Sequence, residues 1–377
     1  MLDTENGSRE FVIQFGAGGN SERFLGWGWS QAEARHTWTI GHSSRVDFPR
    51  PAVAGTYLML LEISPFLWDQ QAGQCLTVFV NGSDVANFVV SKGGAFECTL
   101  PWSLLEHREW TAVTFEHPDA AKPSAVAGVH DNREIALAFE RLSLFRQLEH
   151  SEAPCTAPRL HEGEALATHE LMMHFESVGQ NCEFGLVQRR CGAEPLGLLR
   201  FASSPLPVLM AALRARFEGL GEPGRLHVQA SRDEYLVIDR RFGLLYHAWV
   251  KIGEADPEEI LRREEKRLPF LRRKLIKDLE EGRKIFVYHG MEPLSRPLML
   301  SLLLAVRAYG PTTLLWVELK NDAHPAGTVE WVTRGLLKGY MDRFAPVENA
   351  HDLSLDFWVV LCRNAYSLAH GTLSEDT

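Results

Sequence analysis

The sequence has few cysteines and no pairing pattern among them. Six cysteines are spread over 377 residues, and none shows the two-residue spacing of metal knuckles and redox pairs. A chain of this length builds a hydrophobic core and does not need a disulfide framework. We therefore expect reduced thiols in a cytoplasmic protein, with no metal site and no cofactor.

Long apolar runs and an excess of positive charge are also absent. No stretch approaches the roughly 20 apolar residues of a membrane span, and residues 1–10 contain no apolar signal region. The net charge of -10 disfavours nucleic acid as a partner, because phosphate binding requires a basic excess. The Arg- and Lys-rich segment 262–277 also contains acidic and apolar residues, which is typical of a solvated helix face. The helix that contains it is predicted over 257–281, with Asp256 as its cap and Gly282 as its end. The sequence does not indicate an oligomeric state.

Common nucleotide and hydrolase motifs are missing. The chain contains no G-x-G-x-x-G after a strand, no P-loop, no H-E-x-x-H and no nucleophile elbow. The glycine-rich segment 16–19 opens no helix, so it predicts a turn. Any catalytic chemistry therefore has to come from residues outside these motifs.

The first 148 residues are a succession of short strand signals separated by turn residues. Asn81-Gly82 between two of them is typical of a two-residue hairpin turn. About ten strands at this spacing predict an antiparallel, jelly-roll-like β-sandwich over residues 1–148. The predicted strands are 11–15, 23–29, 37–40, 45–48, 56–63, 75–80, 85–90, 96–100, 110–115 and 135–145.

Tryptophan is concentrated in this predicted sandwich. Trp27 and Trp29 alternate along one predicted strand, and Trp38 and the carboxylate of Glu33 follow closely. Flat aromatic faces beside acids suit sugar rings, so these four residues are candidate ligand-binding residues. Core packing is the competing interpretation, because large aromatics are usually buried. The segment 26–30 and Trp38 together resemble the jelly-roll carbohydrate-binding modules that accompany bacterial glycan enzymes, which implies a glycan or glycoconjugate as partner.

The pattern changes after residue 148. Residues 149–167 combine proline with polar residues and lack apolar periodicity, which indicates a linker. From 168 to 370 apolar strands alternate with amphipathic helices, and residues 371–377 form a polar tail that we expect to be disordered. The alternation predicts an α/β domain with a largely parallel sheet covered by helices, and hence a two-domain α+β chain.

Cys182 is the candidate nucleophile of this second domain. An extended run breaks at Gly179 and helical spacing resumes at Phe184, so we expect Cys182 to begin a helix. The helix dipole and the free backbone N–H groups there favour a thiolate. The side-chain amides of Gln180 and Asn181 are suited to an oxyanion site. An inert cysteine in the core is the competing interpretation.

Cysteine chemistry also requires a base, which is usually a histidine. His247 lies in the apolar strand signal 244–250 and is the first candidate, although a structural histidine fits the same pattern. His289 follows the strand 284–288 and is its rival, because site residues of open α/β sheets lie at strand ends. Asp239 and Asp352 are candidate groups to orient the histidine.

Four segments of the second domain carry a resemblance to a known family. The segments 177–183 and 195–201, the strand with Tyr246-His247 and the strand 284–287 together resemble the bacterial family of papain-like cysteine peptidases over residues 170–369. The resemblance implies Cys182 as nucleophile and His247 as base in hydrolysis through a thioester. Arg200 lies in one of these segments, and we include it among the candidate ligand-binding residues.

Three functions therefore stay open. The first is a cysteine-dependent hydrolase coupled to a glycan-binding-like sandwich. The second is a transferase of bacterial polysaccharide biosynthesis, which would transfer an acyl or a glycosyl group. Acyl transfer is suggested because the helix start at Cys182 also resembles that of capsule-polysaccharide acyltransferase-like proteins. Glycosyl transfer from a nucleotide sugar would require a metal-binding acidic pair, and none is evident in the sequence. The third is a non-catalytic glycan-binding or assembly protein in which Cys182 is inert.

Overall fold

The chain divides into two compact units, Met1–Ser151 and Glu152–Thr377. A computed structural model describes residues 11–69, 71–147, 166–290, 293–346 and 348–371. The predicted linker 149–167 and the predicted tail 371–377 fall almost wholly outside these ranges. Within the described residues, no helix has both the length and the apolar character needed to cross a membrane.

The first unit is an antiparallel β-sandwich, which confirms the predicted architecture. One sheet has the order β1-β9-β4-β7 with β2 also paired to β9, and the other has the order β3-β8-β5-β6. A single helical turn, α1 (Pro123–Val126), precedes the last strand. The strands are β1 (Phe11–Gln14), β2 (Thr37–Ile40), β3 (Ser43–Pro49), β4 (Tyr57–Pro65), β5 (Gln74–Val80), β6 (Ser83–Val90), β7 (Gly94–Leu100), β8 (Trp110–Glu116) and β9 (Ile135–Arg146).

Alternation along the strands builds the core between the two sheets. On β8, Val113 and Phe115 are fully buried while Trp110 is exposed. Phe115 meets Phe139 of β9, in the opposite sheet, with ring centroids 4.8 Å apart. Such burial of apolar surface is the main stabilising contribution to a sandwich of this kind.

One predicted strand of the sandwich is wrong and one predicted turn is confirmed. The segment 23–29 forms only isolated bridges, from Leu25 to Val46 and from Trp29 to Thr39. Asn81 joins β5 to β6 with a φ of 52°, and the following glycine has a φ of 89°. These positive angles are the ones that a two-residue hairpin turn requires.

The second unit contains two sheets, whereas the sequence pattern predicted one. The main sheet has the order β10-β15-β16-β18-β17, and all its pairs are parallel except the last. The antiparallel pair carries a register shift between Trp331 and Thr333. The strands are β10 (Phe175–Ser177), β15 (Ile285–His289), β16 (Thr313–Leu319), β17 (Val329–Thr333) and β18 (Leu336–Met341).

The second sheet is antiparallel, with the order β11-β14-β13-β12. The prediction of one largely parallel sheet is therefore wrong for this part of the chain. Short turns join β12 to β13 and β13 to β14, so these strands pair as hairpins, whereas β11 precedes α4 and pairs with β14. The strands are β11 (Ala202–Ser203), β12 (Leu226–Ser231), β13 (Glu234–Asp239) and β14 (Leu244–Lys251).

Helices cover the main sheet. One face carries α2, α3 and α7, whose buried Leu171, Phe184 and Trp358 share a cluster with Val287 and Leu315 of the sheet. The helices are α2 (Thr168–Met173), α3 (Glu183–Arg190), α4 (Leu206–Arg214), α5 (Pro257–Glu281), α6 (Arg296–Arg307) and α7 (Leu355–His370).

The longest helix, α5, begins and ends as its sequence predicts. The side chain of Asp256 caps its start by accepting a hydrogen bond of 3.0 Å from the backbone N–H of Glu258. Pro257 occupies its first turn, and it ends at Gly282, which adopts a left-handed conformation.

Candidate functional site

Cys182 lies at the carboxyl edge of the main sheet, where β10 leads into α3. Parallel pairing continues just past β10, since the backbone N–H of Val178 donates to the carbonyl oxygen of Val287 at 3.0 Å. The helix begins at Glu183, with Cys182 as its N-cap residue. The predicted helix start is thus confirmed. Ligands of open α/β sheets bind at this edge.

The polar residues before Cys182 contact their surroundings through side-chain oxygens. Asn181 Oδ1 accepts a hydrogen bond of 2.9 Å from the backbone N–H of Glu183, which closes a turn just before α3. Gln180 Oε1 accepts one of 3.2 Å from the hydroxyl of Tyr288. These bonds fix the loop beside the sulfur atom. The role of the two amide groups as oxyanion donors stays a prediction.

The Cys182 thiol is not held as a thiolate in this conformation. Burial raises its pKa, the backbone N–H of Cys182 itself lowers it, and the carboxylate of Glu183 raises it further. The expectation that the helix start favours the thiolate is therefore wrong for this structure. Burial and the neighbouring carboxylate raise the pKa of the thiol by more than the backbone N–H group lowers it.

The carboxylate of Glu183 is buried and accepts hydrogen bonds from two donors. Its Oε1 accepts from the indole Nε1 of Trp358 at 2.9 Å, and its Oε2 accepts from the backbone N–H of Ala345 at 3.1 Å. Burial raises the pKa of this carboxyl, while these hydrogen bonds lower it. The start of α3 is thus tied to α7 and to the segment that follows β18.

His289 occupies the carboxyl end of β15, the strand beside β10. Its ring stacks on Phe344 with centroids 4.8 Å apart and meets Trp358 edge-on at 5.6 Å. Burial lowers its pKa to about 4, so the imidazole is neutral at pH 7. Its buried Nδ1 has no hydrogen-bond partner within the ranges that the structure describes. The neutral Nδ1 is a hydrogen-bond acceptor, and the lowered pKa makes it a weaker base than an exposed imidazole.

Trp358 connects this histidine to the helix that Cys182 begins. The same indole contacts His289, packs against Phe184 of α3 at 5.2 Å and donates to Glu183. Among the described residues, no hydrogen bond joins the Cys182 sulfur to a histidine. The sequence thus placed His289 and Cys182 at the same edge of the sheet but did not indicate the tryptophan between them.

His247 lies elsewhere, on β14 of the antiparallel sheet. Its Nδ1 is 2.6 Å from Oε1 of Glu234 on the neighbouring strand, and its side chain is 39% exposed. Its ring lies 5.7 Å from that of Trp249. The role of His247 as the base for Cys182 stays a prediction. Glu234 is a residue that sequence reasoning missed, and its only signal was the short hairpin that joins β13 to β14.

The aspartates predicted to orient His247 have other partners. Asp239 Oδ1 accepts from the backbone N–H groups of Arg241 and Phe242, at 3.0 and 2.8 Å, and so closes the turn after β13. Asp352 pairs with Arg343 at 2.7 Å. The prediction that either orients His247 is wrong because Glu234 is the carboxylate that contacts its Nδ1.

Arg200 is an internal anchor and not a surface residue for ligands. It is 5% exposed, and its Nη1 donates to Glu194 at 2.6 Å. Its Nη2 donates to the carbonyl oxygens of Gly185 and Ala193 at 3.2 and 3.0 Å. Burial lowers its pKa, and Glu194 opposes that change. The prediction of a ligand-binding Arg200 is wrong because its guanidinium is buried and both terminal nitrogens donate to groups of the protein itself.

The two tryptophans of the segment 26–30 have opposite environments. Trp27 is 50% exposed. Trp29 packs in the sandwich core against Phe139, with centroids 5.0 Å apart, and its Nε1 donates to the carbonyl oxygen of Arg45 at 2.7 Å. The residue between them, Gly28, has a φ of 83°, which breaks the strand alternation. The prediction that Trp29 binds a ligand is therefore wrong.

Trp38 belongs to a row of rings that we name the aromatic surface: His36, Trp38, Phe66 and Trp68. Successive centroids are 5.3, 6.4 and 5.6 Å apart, and all four side chains are partly exposed. Sheet pairing assembles the row, because Trp38 and Ser64 both pair with one residue of β9. Phe66 and Trp68 were missed by sequence reasoning. Their signal was the alternation of aromatic residues just after Pro65 ends β4.

Charged groups flank the aromatic surface. Glu33 Oε2 lies 3.2 Å from His36 Nε2, and Glu33 Oε1 accepts from Arg133 Nη2 at 3.0 Å. Arg133 also bonds Asp131 at 2.6 Å, which raises the pKa of the guanidinium and lowers that of the carboxyl. The structure thus brings together the predicted ligand residues Trp38 and Glu33. Across the described residues, no group of three or more metal-binding side chains is arranged to hold an ion.

Comparisons with known proteins give structural likeness only at a low level. No family model and no curated protein matches the chain, so the resemblance to papain-like cysteine peptidases gains no support. Solved structures that match include a CBM36-1 domain of a xylanase from the hindgut metagenome of Trinervitermes trinervoides (12% identity, 36% of this chain and 96% of that chain, TM-score 0.22). A family 35 carbohydrate binding module from Clostridium thermocellum matches at 10% identity, over 37% of this chain and 99% of that chain, with a TM-score of 0.24. Likeness at this level does not establish a function.

Proposed function

We propose that the sandwich binds a glycan through the aromatic surface. The observation that carries the proposal is the row of partly exposed rings Trp38, Phe66 and Trp68 beside the ion pair of Glu33 and Arg133. The apolar faces of sugar rings pack on flat aromatic side chains, and the hydroxyl groups at the ring edges bond carboxylate and guanidinium groups.

The length of the row favours an oligosaccharide over a single sugar. Consecutive centroids in it are 6.4 and 5.6 Å apart, with interplanar angles of 88° and 37°, so the row offers several aromatic contacts along the length of one ligand chain. The ion pair of Arg133 with Glu33 and Asp131 holds the polar flank in one arrangement, which lowers the entropy cost of ordering these side chains on binding.

Binding to immobilised polysaccharides tests this proposal. The full chain is passed over a panel that includes xylan, laminarin, cellulose and bacterial capsule polysaccharides, and retained ligands are then titrated by calorimetry. Trp38→Ala and Trp68→Ala should each weaken binding at least tenfold. Trp110→Ala is the matched control, since Trp110 is a tryptophan of the same unit that is 52% exposed. A chain retained by no polysaccharide, or one unaffected by both substitutions, contradicts the proposal.

A separate observation favours a second function, acyl-group chemistry at Cys182. Cys182 begins a helix at the carboxyl edge of the main sheet, and the neighbouring strand ends in a neutral His289 whose buried Nδ1 is unpartnered among the described residues. In this scheme His289 takes the thiol proton and the sulfur attacks a carbonyl carbon. The leaving alcohol or amine takes that proton, and water or an acceptor hydroxyl then cleaves the thioester.

Acyl trapping tests the second function. The chain is incubated with p-nitrophenyl acetate, and the acylated cysteine is located by mass spectrometry. Acetylation of Cys182 should be lost in Cys182→Ser, fall at least tenfold in His289→Asn and persist in Cys191→Ser, whose thiol is also partly buried. A loss in His247→Asn with no effect of His289→Asn would assign the base to His247. Equal labelling of Cys191 and Cys182 would show that Cys182 is not selectively activated as a nucleophile.

A further inference from the structure

Trp249 is held in an unusual backbone conformation on β14. Between the pairs His247–Leu236 and Lys251–Glu234, three residues of β14 face a single residue of β13, so the strand bulges outward. Trp249 is at the centre of the bulge with a φ of 56°, and it is 52% exposed. A bulky residue at positive φ is strained, and bulges of this kind redirect side chains beside binding sites.

The exposed indole has ordered neighbours. The guanidinium carbon of Arg189 is 5.2 Å from the Trp249 ring and 4.8 Å from that of Phe201. Phe201 meets Trp249 edge-on, with centroids 5.6 Å apart, and His247 lies 5.7 Å away. These contacts fix the indole in place although half of its surface faces solvent.

A stripe of positive charge runs along α5. An open groove of about 590 Å³ is lined there by residues spaced three or four apart, which therefore share one face of the helix. Four of them are cations and one is an acid. We name this set the cationic stripe: Glu259, Arg262, Arg263, Lys266, Arg267 and Phe270.

A buried carboxylate positions two arginines of the cationic stripe. Glu264 is fully buried, and its oxygens accept from Arg263 Nε at 2.9 Å, from Arg267 Nη1 at 3.1 Å and from the hydroxyl of Tyr246 at 3.0 Å. The two arginine side chains are still 48% and 45% exposed. Their guanidinium groups are therefore held in place before any ligand arrives, which is how preorganised anion sites are built.

Arg267 joins the two features into one surface. It lines the groove on α5, and it also lines a small recess together with His247 and Trp249. The surface thus offers a flat aromatic face at one end and guanidinium and ammonium groups at the other. The chain as a whole carries a net charge of -10, so this positive region is local and does not mark a general polyanion-binding protein.

We propose that Trp249 and the cationic stripe form a second binding site, which takes an anionic saccharide. A sugar ring of the ligand packs on Trp249, and its carboxylate or phosphate is bound by Arg267 and Lys266. This site is independent of the aromatic surface of the sandwich. The strain at Trp249 is retained because the bulge presents the indole to the ligand.

Calorimetric titration of the full chain tests this proposal. It is carried out in a Trp38→Ala background, so that the sandwich does not contribute. Three probes separate the chemistry: tri-galacturonate carries carboxylates, glucose 1-phosphate carries a phosphate, and maltotriose is neutral. One of the anionic probes should bind and maltotriose should not, and which anionic probe binds identifies the charged group.

Two substitutions identify the surface. Trp249→Gly should weaken binding of the anionic probe at least tenfold while leaving the melting temperature unchanged or raised, because glycine adopts a φ of 56° without strain. Lys266→Glu should weaken binding similarly, whereas Lys277→Glu should not; Lys277 is on the same helix, 73% exposed, and lines neither the groove nor the recess. Absence of binding by both anionic probes overturns the proposal. The proposal is also overturned if an oligothymidylate binds with the same affinity as the saccharide and Trp249→Gly does not change that affinity. Such a result would indicate attraction by charge alone.

Discussion

The indole Nε1 of Trp358 donates a hydrogen bond of 2.9 Å to Oε1 of Glu183, and both side chains are buried. The bond joins α7 to Glu183, the first residue of α3. It therefore fixes the carboxylate of the residue that follows Cys182 in the sequence. Burial is the main cause of the raised pKa of the Cys182 thiol, and the carboxylate that adds to it is held by a residue 175 positions away in the sequence.

Glu183→Gln should make Cys182 more reactive. Burial is the main cause of the raised pKa of the thiol, and removing the carboxylate takes away the further contribution of Glu183, while the amide oxygen can still accept from Trp358. We expect the rate of iodoacetamide alkylation at pH 7.5 to rise about threefold, because a larger fraction of the sulfur is then thiolate. The pH profile of alkylation, followed by mass spectrometry in a Cys191→Ser background, measures the shift. An unchanged profile would show that Glu183 does not act on the sulfur.

His289 should make the second unit sensitive to acid. Its pKa in the folded chain is lowered by burial to about 4, from 6.5. The unfolded state therefore binds the proton more readily, so the stability that a neutral His289 contributes is complete above pH 6.5 and is lost as the pH falls toward 4. The full effect is roughly 3 kcal/mol. Calorimetric melting between pH 4 and 7 should show that His289→Phe gains stability relative to the parent chain as the pH falls.

Glu176 should act in the opposite direction. This carboxyl is on β10, and burial and a hydrogen bond to Asp278 raise its pKa to about 7, against the opposing effects of Lys284 and Lys274. The folded state therefore binds the proton more readily, and the stability that the protonated group contributes is present below about pH 4.5 and is lost as the pH rises toward 7.

Glu176→Gln tests that sign. Glutamine keeps the neutral form and a donor toward Asp278, so the variant should gain roughly 3 kcal/mol relative to the parent chain between pH 4.5 and 7.5. The same calorimetric series measures the difference. If the difference in the free energy of unfolding between the two chains does not change across this pH range, Glu176 is ionised throughout it. Because His289 and Glu176 titrate with opposite signs, the parent chain should show a flatter profile than either variant.

Two tryptophans only two positions apart should differ in their contribution to stability. Trp29→Ala removes a partly buried indole that packs against the core, together with its hydrogen bond to Arg45, and we expect a loss of about 3 kcal/mol from the sandwich. Trp27→Ala removes an indole that is 50% exposed, and we expect a change of about 0.5 kcal/mol or less. Thermal unfolding of each variant measures the contrast. Equal losses would show that Trp27 also packs in a core.

Gly185→Ala should destabilise α3, although alanine usually favours a helix. A Cβ atom at this position would lie 2.7 Å from the ring of Phe201 and against the carbonyl oxygen of Arg200. We expect a loss of about 2 kcal/mol or more from this overpacking. Gly94→Ala is the control, because its nearest neighbour outside the adjoining residues, the Phe96 ring, would be 3.9 Å away. A neutral Gly185→Ala would mean that the loop carrying Arg200 moves freely.

Local patterns predicted local structure well. The turn at Asn81, the limits of α5 at Asp256 and Gly282, and the helix start at Cys182 all depend on residues close in sequence, and all three are present. In each case the side chain or the backbone of one residue satisfies the geometry of its immediate neighbours.

The environments of individual side chains were harder to predict. A positive φ at Gly28 separates Trp27 from Trp29, and strand alternation alone does not reveal it. His247 was assigned to one α/β sheet because β14 is apolar, yet hairpin pairing places it on a second sheet next to Glu234. The contact of Glu183 with Trp358 depends on tertiary packing, which a single sequence does not encode in any local spacing.

The edges of the main sheet have a consequence for how the chain behaves at high concentration. One edge strand, β10, has only three residues, and the other, β17, is antiparallel and carries a register shift between Trp331 and Thr333. Long, flat edge strands recruit strands from other molecules and initiate aggregation. The short β10 and the irregular β17 offer no long, flat edge of this kind. We therefore do not expect the main sheet to extend by pairing with strands of other molecules.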